Sequence, residues 1–239
     1  MFKGSIFAYY GMYLVGFALM MLVSRRTCGR YRVGKTDAVS GTLITYVAGI
    51  AGALLMGKIF TAVSTAVGSP SVSNVAIFGA VIFTPLMLLA VFRLMRLNPA
   101  AMLDLLTPGI FIILACAKFG CALHGCCAGV PWSHGIYNPY VGEKVFPVQI
   151  CEVATMAAVI LLTQLTVRRA RFIRPGMAFP LTAGVYAVTR FLWEFARYYD
   201  SDRLRRFSLG MSFWQLACVI TLAASAVLLP VIYKKDLKY

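Results

Sequence analysis

The stretch AMLDLLTPGIFIILACAKFG, residues 101–120, is apolar over most of its length. About 20 mainly apolar residues are enough for one helical span of a bilayer. Comparable apolar runs make up most of the remaining chain, at residues 5–23, 40–66, 74–93, 147–167, 176–197 and 210–233. The sequence therefore predicts an all-α, polytopic integral membrane protein of about seven transmembrane helices.

The composition excludes an ordinary soluble protein. The chain has 239 residues, of which 60% are hydrophobic and 13% are charged, and its mean hydropathy is +0.80. A soluble domain carries about 25% charged residues. No hydrophilic stretch is long enough to fold separately, so residues 1–239 are expected to form a single membrane domain.

The basic residues predict an orientation rather than a nucleic-acid partner. The net charge is +15, but the cations sit in short clusters between apolar runs, as at residues 25–35. With the amino terminus outside, the inside segments hold fourteen of the 23 Lys and Arg residues, as the positive-inside rule requires. We expect an N-out, C-in, multi-pass protein of a bacterial cytoplasmic (inner) membrane, with no nucleic-acid binding. The basic 197–206 loop breaks the rule.

Charged side chains within the apolar runs are costly and therefore mark candidate sites. Arg190, Glu194 and Arg197 lie at i, i+4 and i+7, which predicts one shared helix face near the outer end. They form either an internal salt bridge or a cationic pocket for a phosphate group. Two arginines and one glutamate leave one positive charge uncompensated, and this excess favours the cationic pocket. Gln149 and Glu152 form a smaller polar face with either a structural or a functional role.

The segment from Ala117 to Gly129 is the third candidate. Its Cys121, His124 and Cys126–Cys127 are compatible with a thiol relay, a metal site or a tightly packed bend. A structural zinc needs a second pair of ligands, and the sequence offers only His134, so we expect neither a metal nor a cofactor. Seven cysteines in apolar context favour buried thiols over a disulfide framework.

Five segments in this order resemble the prolipoprotein diacylglyceryl transferase family, over most of the chain. They are Tyr9–Phe17 with Arg25-Arg26, Ala76–Ala80, Lys118–Gly129, Phe146–Glu152 and Arg190–Asp200. The resemblance implies a transferase of lipoprotein biosynthesis. Such an enzyme moves a diacylglyceryl group from phosphatidylglycerol to the cysteine thiol of a lipobox-containing prolipoprotein and releases glycerol phosphate. Its implied partners are these two substrates and membrane lipids.

The resemblance also implies roles for individual residues. Arg190 is expected to hold the phosphate leaving group, where charge develops in the transition state, and Glu194 is expected to hold Arg190. Lys118 and His124 complete the expected catalytic set. The expected substrate-binding residues are Tyr10, Tyr13, Gly120, Cys121, Gly125, Cys126, Gly129, Gln149, Glu152 and Arg197.

Several polar positions of the family pattern are replaced in this chain. Lys118 stands for an arginine, Cys121 and His124 for asparagines, and Cys126 for a glutamate. Further replacements are Phe78 and Phe146 for histidines and Cys151 for a tyrosine. Two alternatives therefore stay open: a lipid-binding protein that kept the fold without the chemistry, and a thiol-redox membrane protein using the cysteines of residues 121–127.

Overall fold

The computed structural model describes residues 6–66, 78–138, 140–169, 174–199 and 209–234. These residues form seven α-helices. They are α1 (Ile6–Thr27), α2 (Lys35–Ala66), α3 (Phe78–Leu94), α4 (Pro99–His124), α5 (Val148–Arg169), α6 (Ala178–Glu194) and α7 (Phe213–Lys234). Five of them, namely α1, α2, α4, α5 and α7, are long and apolar enough to cross a membrane. The prediction of a helical, multi-pass membrane protein is confirmed, whereas the count of seven spans stays a prediction.

The central helix of the bundle is α4, which is buried along most of its length. Asn98 caps its start, because the side-chain oxygen accepts a hydrogen bond from the Ala100 amide at 3.0 Å. Close packing against α1 depends on small residues: a Cβ on Gly16 would lie 3.0 Å from the Ile113 Cα atom. The core around α4 includes Met20, Phe92, Met102, Leu106, Phe111, Leu114, Phe179 and Tyr186.

A buried carboxylate joins α4 to the start of α6. Asp104 is fully buried in α4, and its two oxygens accept hydrogen bonds from the Gly176 amide at 2.6 Å and the Ala178 amide at 3.0 Å. The first amides of a helix lack partners within the helix, and a negative charge there is favourable. Asp104 of α4 therefore caps the start of α6 and links the two helices at that end.

The connection between α4 and α5 contains a small hairpin that the all-α prediction did not include. Strand β1 (Pro131–Asn138) pairs antiparallel with β2 (Glu143–Val145), with a register irregularity between Pro131 and Ile136. The Asn138 side chain donates a hydrogen bond to the Gly125 carbonyl at 2.7 Å. The hairpin is thereby tied to the end of α4.

One helix ends earlier than the sequence indicated. The predicted sixth span reaches residue 197, but α6 stops at Glu194. The next residues leave the helix because the Ala196 carbonyl accepts from the Val130 amide at 3.0 Å and the Tyr198 amide donates to Ala128 at 3.0 Å. The prediction that Arg197 shares a helix face with Arg190 and Glu194 is therefore wrong.

Candidate functional site

Five charged side chains from α4, α5, α6 and the segment after α6 meet in one buried network. Glu152 is at its centre: the Lys118 Nζ atom lies 2.9 Å from one oxygen, and Arg197 Nη2 donates to both oxygens at 2.8 Å. Arg190 Nε lies 3.5 Å from Glu152. Arg190 also pairs with Glu194, and Glu194 lies 3.6 Å from Arg197 Nε. All five side chains are buried.

The network carries an excess positive charge. Three cations face two carboxylates within the described residues, which leaves a net charge of +1. Burial alone would lower the pKa of Arg197, but the neighbouring Glu152 carboxylate, with Cys127 and Glu194, holds it well above its ordinary value. Arg197 therefore stays charged, and the site favours an anion such as a phosphate group.

The segment that follows α4 is held against the segment that follows α6. Gly129 pairs with Arg197 in an isolated antiparallel bridge. A Cβ on Gly129 would lie only 2.3 Å from the Phe146 carbonyl oxygen, so this close approach requires glycine. Gln149 Nε2 donates to the Cys126 carbonyl at 2.8 Å. These contacts place the Cys126–Gly129 segment beside the buried charges.

The cysteines predicted from the signature segment come together in space. The sulfur atoms of Cys121, Cys126 and Cys127 all lie within 4.8 Å of one another. Gly125 and Cys127 both have left-handed backbones, with φ of 88° and 58°, and these turns fold the chain back over the end of α4. The three residues are free thiols.

His124 and three tyrosines form an aromatic group beside the thiols. Tyr140 Oη lies 3.3 Å from His124 Nε2, and the Tyr9 ring centroid lies 5.9 Å from that of His124. Tyr9 Oη is also within hydrogen-bonding distance, 3.0 Å, of Tyr13 Oη. Tyr9 therefore links Tyr13 to His124 and to the rest of the site.

An apolar cavity of about 440 Å³ adjoins this aromatic group. It runs between α1, α2, α3 and α4, and its walls include Tyr9, Tyr10 and Tyr13 at one end. Ala117, the neighbour of Lys118, also lines it. Its size and apolar walls suit hydrocarbon chains next to a polar headgroup site.

The structure brings most of the predicted site residues together. Lys118, Glu152, Arg190, Glu194 and Arg197 form the charged network, and Gln149, Cys121, Cys126, Gly125 and Gly129 belong to the adjoining segment. His124 and Tyr13 lie beside them, and Gly120 packs against α1, where a Cβ would be 3.1 Å from the Tyr9 carbonyl oxygen. Tyr10 is exposed, its ring centroid lies 5.3 Å from that of Tyr9, and it lines the apolar cavity. The side chain of Phe78, Asp200 and residues 200–206 of the basic loop lie outside the described part of the chain.

Sequence reasoning missed Tyr9 and Ser212. Ser212 Oγ donates to Glu194 at 3.1 Å, and the Ser212 amide donates to Gln215 Oε1 at 2.9 Å. Ser212 stands just before α7 at a helix-capping position, where serine is common, so the residue type marked a helix start but not a contact with Glu194. Tyr9 and Tyr10 are consecutive residues of α1 and therefore point to different faces of the helix. The sequence alone did not show which of the two faces the site.

Comparisons with known proteins agree with this picture. The family model described as prolipoprotein diacylglyceryl transferase matches residues 2–231. Two relatives from strains of Dehalococcoides mccartyi, both named phosphatidylglycerol--prolipoprotein diacylglyceryl transferase, are 30% identical to this chain over 165 residues. The match covers 65% of this chain and 60% of each relative. A protein from a third strain is 30% identical over 160 residues, which are 63% of this chain and 58% of the relative.

The chain thus spans about 60% of the length of the curated relatives it matches, while the family model extends over nearly all of it. The extent of that match and the order of the site segments along the chain both indicate the same family. The chain belongs to the prolipoprotein diacylglyceryl transferase family.

Proposed function

We propose that this chain transfers the diacylglyceryl group of phosphatidylglycerol to the thiol of a prolipoprotein cysteine. The observation that carries the proposal is the buried network of Lys118, Arg190, Arg197, Glu152 and Glu194, which has one cation in excess. Phosphatidylglycerol presents a singly charged phosphate, so one uncompensated cation matches its charge. The curated relatives bear names with the same two substrates.

The apolar cavity supports the lipid half of the proposal. Its tyrosine-lined end adjoins His124 and Ala117, and its remaining walls are mainly apolar. A lipid with its acyl chains in this cavity has its glycerol backbone near the tyrosines and its phosphate near Lys118. The cavity contributes apolar contact area, and the charged network sets the headgroup position.

The reaction requires one bond to form and one to break. The acceptor sulfur attacks the glyceryl carbon, the carbon–oxygen bond to phosphate breaks, and glycerol phosphate leaves with the bonding electrons. The acceptor loses its proton because the thiolate is the nucleophile. Arg190 and the other cations stabilise the negative charge that develops on the leaving phosphate.

The proposed orientation has the amino terminus outside and seven spans in a bacterial inner membrane. The ends of α1, α3, α5 and α7 carry Arg25 and Arg26, Arg93, Arg169 and Lys234, and this arrangement supports a cytoplasmic side opposite to the site. Single cysteines introduced at Glu143 and at Arg169 test it with a membrane-impermeant maleimide on intact cells, relative to the parent chain. Labelling at Glu143 alone is expected; labelling at Arg169 alone would overturn the orientation.

The activity is tested with purified protein in phosphatidylglycerol vesicles and a lipobox peptide. We expect a thioether-linked diacylglyceryl peptide by mass spectrometry and an equal amount of released glycerol phosphate. Arg190→Ala should lower the rate by roughly 100-fold or more, since removing one stabilising donor costs about 10²–10³ in kcat. Arg93→Ala, on an exposed arginine of α3, is the matched control and should keep the rate.

Two results contradict the proposal. One is phosphatidylglycerol binding without any peptide product, which would instead support the lipid-binding alternative. The other is an Arg190→Ala variant with the parent rate. Arg190→Lys, which keeps the charge and loses the planar fork, should keep more activity than Arg190→Ala, and the thermal unfolding midpoint of both variants shows whether a lower rate reflects lost folding.

A further inference from the structure

Three cysteines converge at the outer end of α4 in a geometry suited to metal binding. Cys121 comes from the last turn of α4, and Cys126 and Cys127 come from the turn that follows. Their sulfur atoms lie within 4.8 Å of one another. Two thiolates bound to one zinc at about 2.3 Å are separated by roughly 3.8 Å in a tetrahedral site, so small side-chain movements are enough to bind an ion.

Backbone contacts hold this arrangement in place. The Cys126 carbonyl accepts from Gln149 at 2.8 Å, and the Ala128 carbonyl accepts from the Tyr198 amide at 3.0 Å. The Gly125 amide donates to the Cys121 carbonyl at 2.8 Å. The Cys126 thiol also lies 3.8 Å from the Cys121 carbonyl oxygen, to which it can donate a hydrogen bond. A donated S–H bond leaves the sulfur lone pairs available for a metal ion.

The cluster is open on one side. Cys121 is 2% exposed, Cys126 is half-buried and Cys127 is exposed. No fourth cysteine, histidine or carboxylate joins this group within the described residues. Structural zinc sites have four protein ligands, whereas catalytic ones have three and keep one position for water or substrate. The three cysteines of the described residues match the ligand number of a catalytic zinc site.

We propose that Cys121, Cys126 and Cys127 bind one zinc ion, and that the open fourth position binds the thiol of the acceptor cysteine. This inference rests on the proposed diacylglyceryl transfer and adds how the acceptor is activated. The proposal also gives a role to two replaced family positions, since Cys121 and Cys126 stand where the family signature has an asparagine and a glutamate.

The chemistry is balanced without a further reactant. The acceptor thiol releases its proton to water on binding, because a thiol coordinated to zinc is deprotonated. The zinc-bound sulfur attacks the glyceryl carbon, the carbon–oxygen bond to phosphate breaks, and glycerol phosphate takes the electron pair. The thioether product carries no charge and is a weak ligand, so it leaves and a new thiol enters.

Two cations of the buried network adjoin this site. Three thiolates and Zn²⁺ carry a net charge of −1, and the bound acceptor thiolate makes it −2. Lys118 and Arg197 lie close enough to interact electrostatically with Cys127. Both also belong to the buried charge network, so the proposed zinc site and the proposed phosphate site adjoin the same two cations.

Metal content and cobalt spectroscopy test the site without reference to turnover. Full-length protein purified from zinc-supplemented cells should hold about one zinc per chain by mass spectrometry of the metal. Co²⁺-loaded protein should show sulfur-to-cobalt charge-transfer absorption. This absorption should change when a lipobox peptide is added, and should stay unchanged with the peptide in which serine replaces cysteine.

Cysteine variants locate the ligands. Cys127→Ser changes an exposed residue and should reduce zinc to a small fraction of the parent value while the thermal unfolding midpoint stays near that of the metal-free parent. The control is Cys28→Ser, which replaces a buried thiol just after the carboxyl end of α1. This variant should keep full zinc. Zinc at the parent level in Cys127→Ser, or copper in place of zinc in the parent, would overturn the assignment.

An activity arm separates this inference from the proposed function. A chelator should abolish transfer, and zinc should restore it. Transfer that persists in metal-free protein overturns the activation of the acceptor by zinc and leaves the proposed function intact. Zinc binding with a peptide-dependent cobalt spectrum but no transfer supports the site and overturns the proposed function. An unchanged cobalt spectrum on addition of the cysteine peptide overturns acceptor binding.

Discussion

Replacing Glu152 by glutamine tests the buried charge network most directly. The change keeps the size of the side chain and removes a carboxylate that accepts from Arg197 at 2.8 Å and lies 2.9 Å from Lys118. The net charge of the network rises from +1 to +2. Breaking a buried ion pair costs about 3–5 kcal/mol, and a glutamine oxygen retains one hydrogen bond, so we expect a loss of about 3 kcal/mol. For a chain of this length, that corresponds to a fall in Tm of roughly 6–12 °C.

The measurement is thermal unfolding in detergent micelles, followed by tryptophan fluorescence, because Trp193 stacks on Phe146 close to the site with ring centroids 6.2 Å apart. Glu143→Gln, on the exposed surface of β2, should change Tm by less than about 2 °C. Adding Lys118→Gln to Glu152→Gln restores the net charge of +1 and should lower Tm by less than the sum of the single changes. A Glu152→Gln variant with the parent Tm would refute the claim that these cations depend on this carboxylate.

Three other changes test the supporting structure, each by unfolding midpoint and by transfer rate. Gly129→Ala should abolish transfer and lower Tm, because its Cβ would lie 2.3 Å from the Phe146 carbonyl oxygen, whereas Gly11→Ala meets no atom within 4 Å and should match the parent. Asp104→Asn leaves one amide at the start of α6 without an acceptor and should lower the free energy of unfolding by about 1–3 kcal/mol. The control, Asp37→Asn at the start of α2, should lower it by at most about 1 kcal/mol. Equal Tm values for the two variants would contradict the capping role of Asp104. Ser212→Ala removes the hydrogen bond to Glu194 and should cost about 1–3 kcal/mol, and a more stable variant would show that this contact is not favourable.

The helices were predictable because apolar runs of bilayer length carry a strong and simple signal. Residues 101–120 predicted α4, and the structure extends that helix only to Pro99 and His124. The end of α6 was not predictable, since it depends on hydrogen bonds that Ala196 accepts from and Tyr198 donates to a segment more than 60 residues earlier. Pairing over such distances leaves no periodic pattern in the chain.

The charged residues of the site were found because ionisable groups are rare in apolar runs. The sequence also predicted the pairing of Arg190 with Glu194, which the structure contains, but it did not predict the partners of Glu152. Spacing along the sequence placed Glu152 with Gln149 and Arg197 with Arg190, while the structure pairs Glu152 with Arg197 across two elements. The convergence of Cys121 with Cys126 and Cys127 depended on the left-handed turns at Gly125 and Cys127. A glycine in the sequence suggests such a turn, but a cysteine does not.

The backbone contacts between the Cys126–Gly129 segment and residues 196–198 have a consequence for how this family can diversify. The main chain of this segment is fixed by a glycine and by backbone amide and carbonyl groups, which every residue type except proline supplies in full. Side chains at positions 121, 126 and 127 are therefore exchangeable without displacing the loop from the cation network. A scaffold of this kind permits an amide or a carboxylate to be replaced by a thiol while the position of the proposed phosphate site is retained.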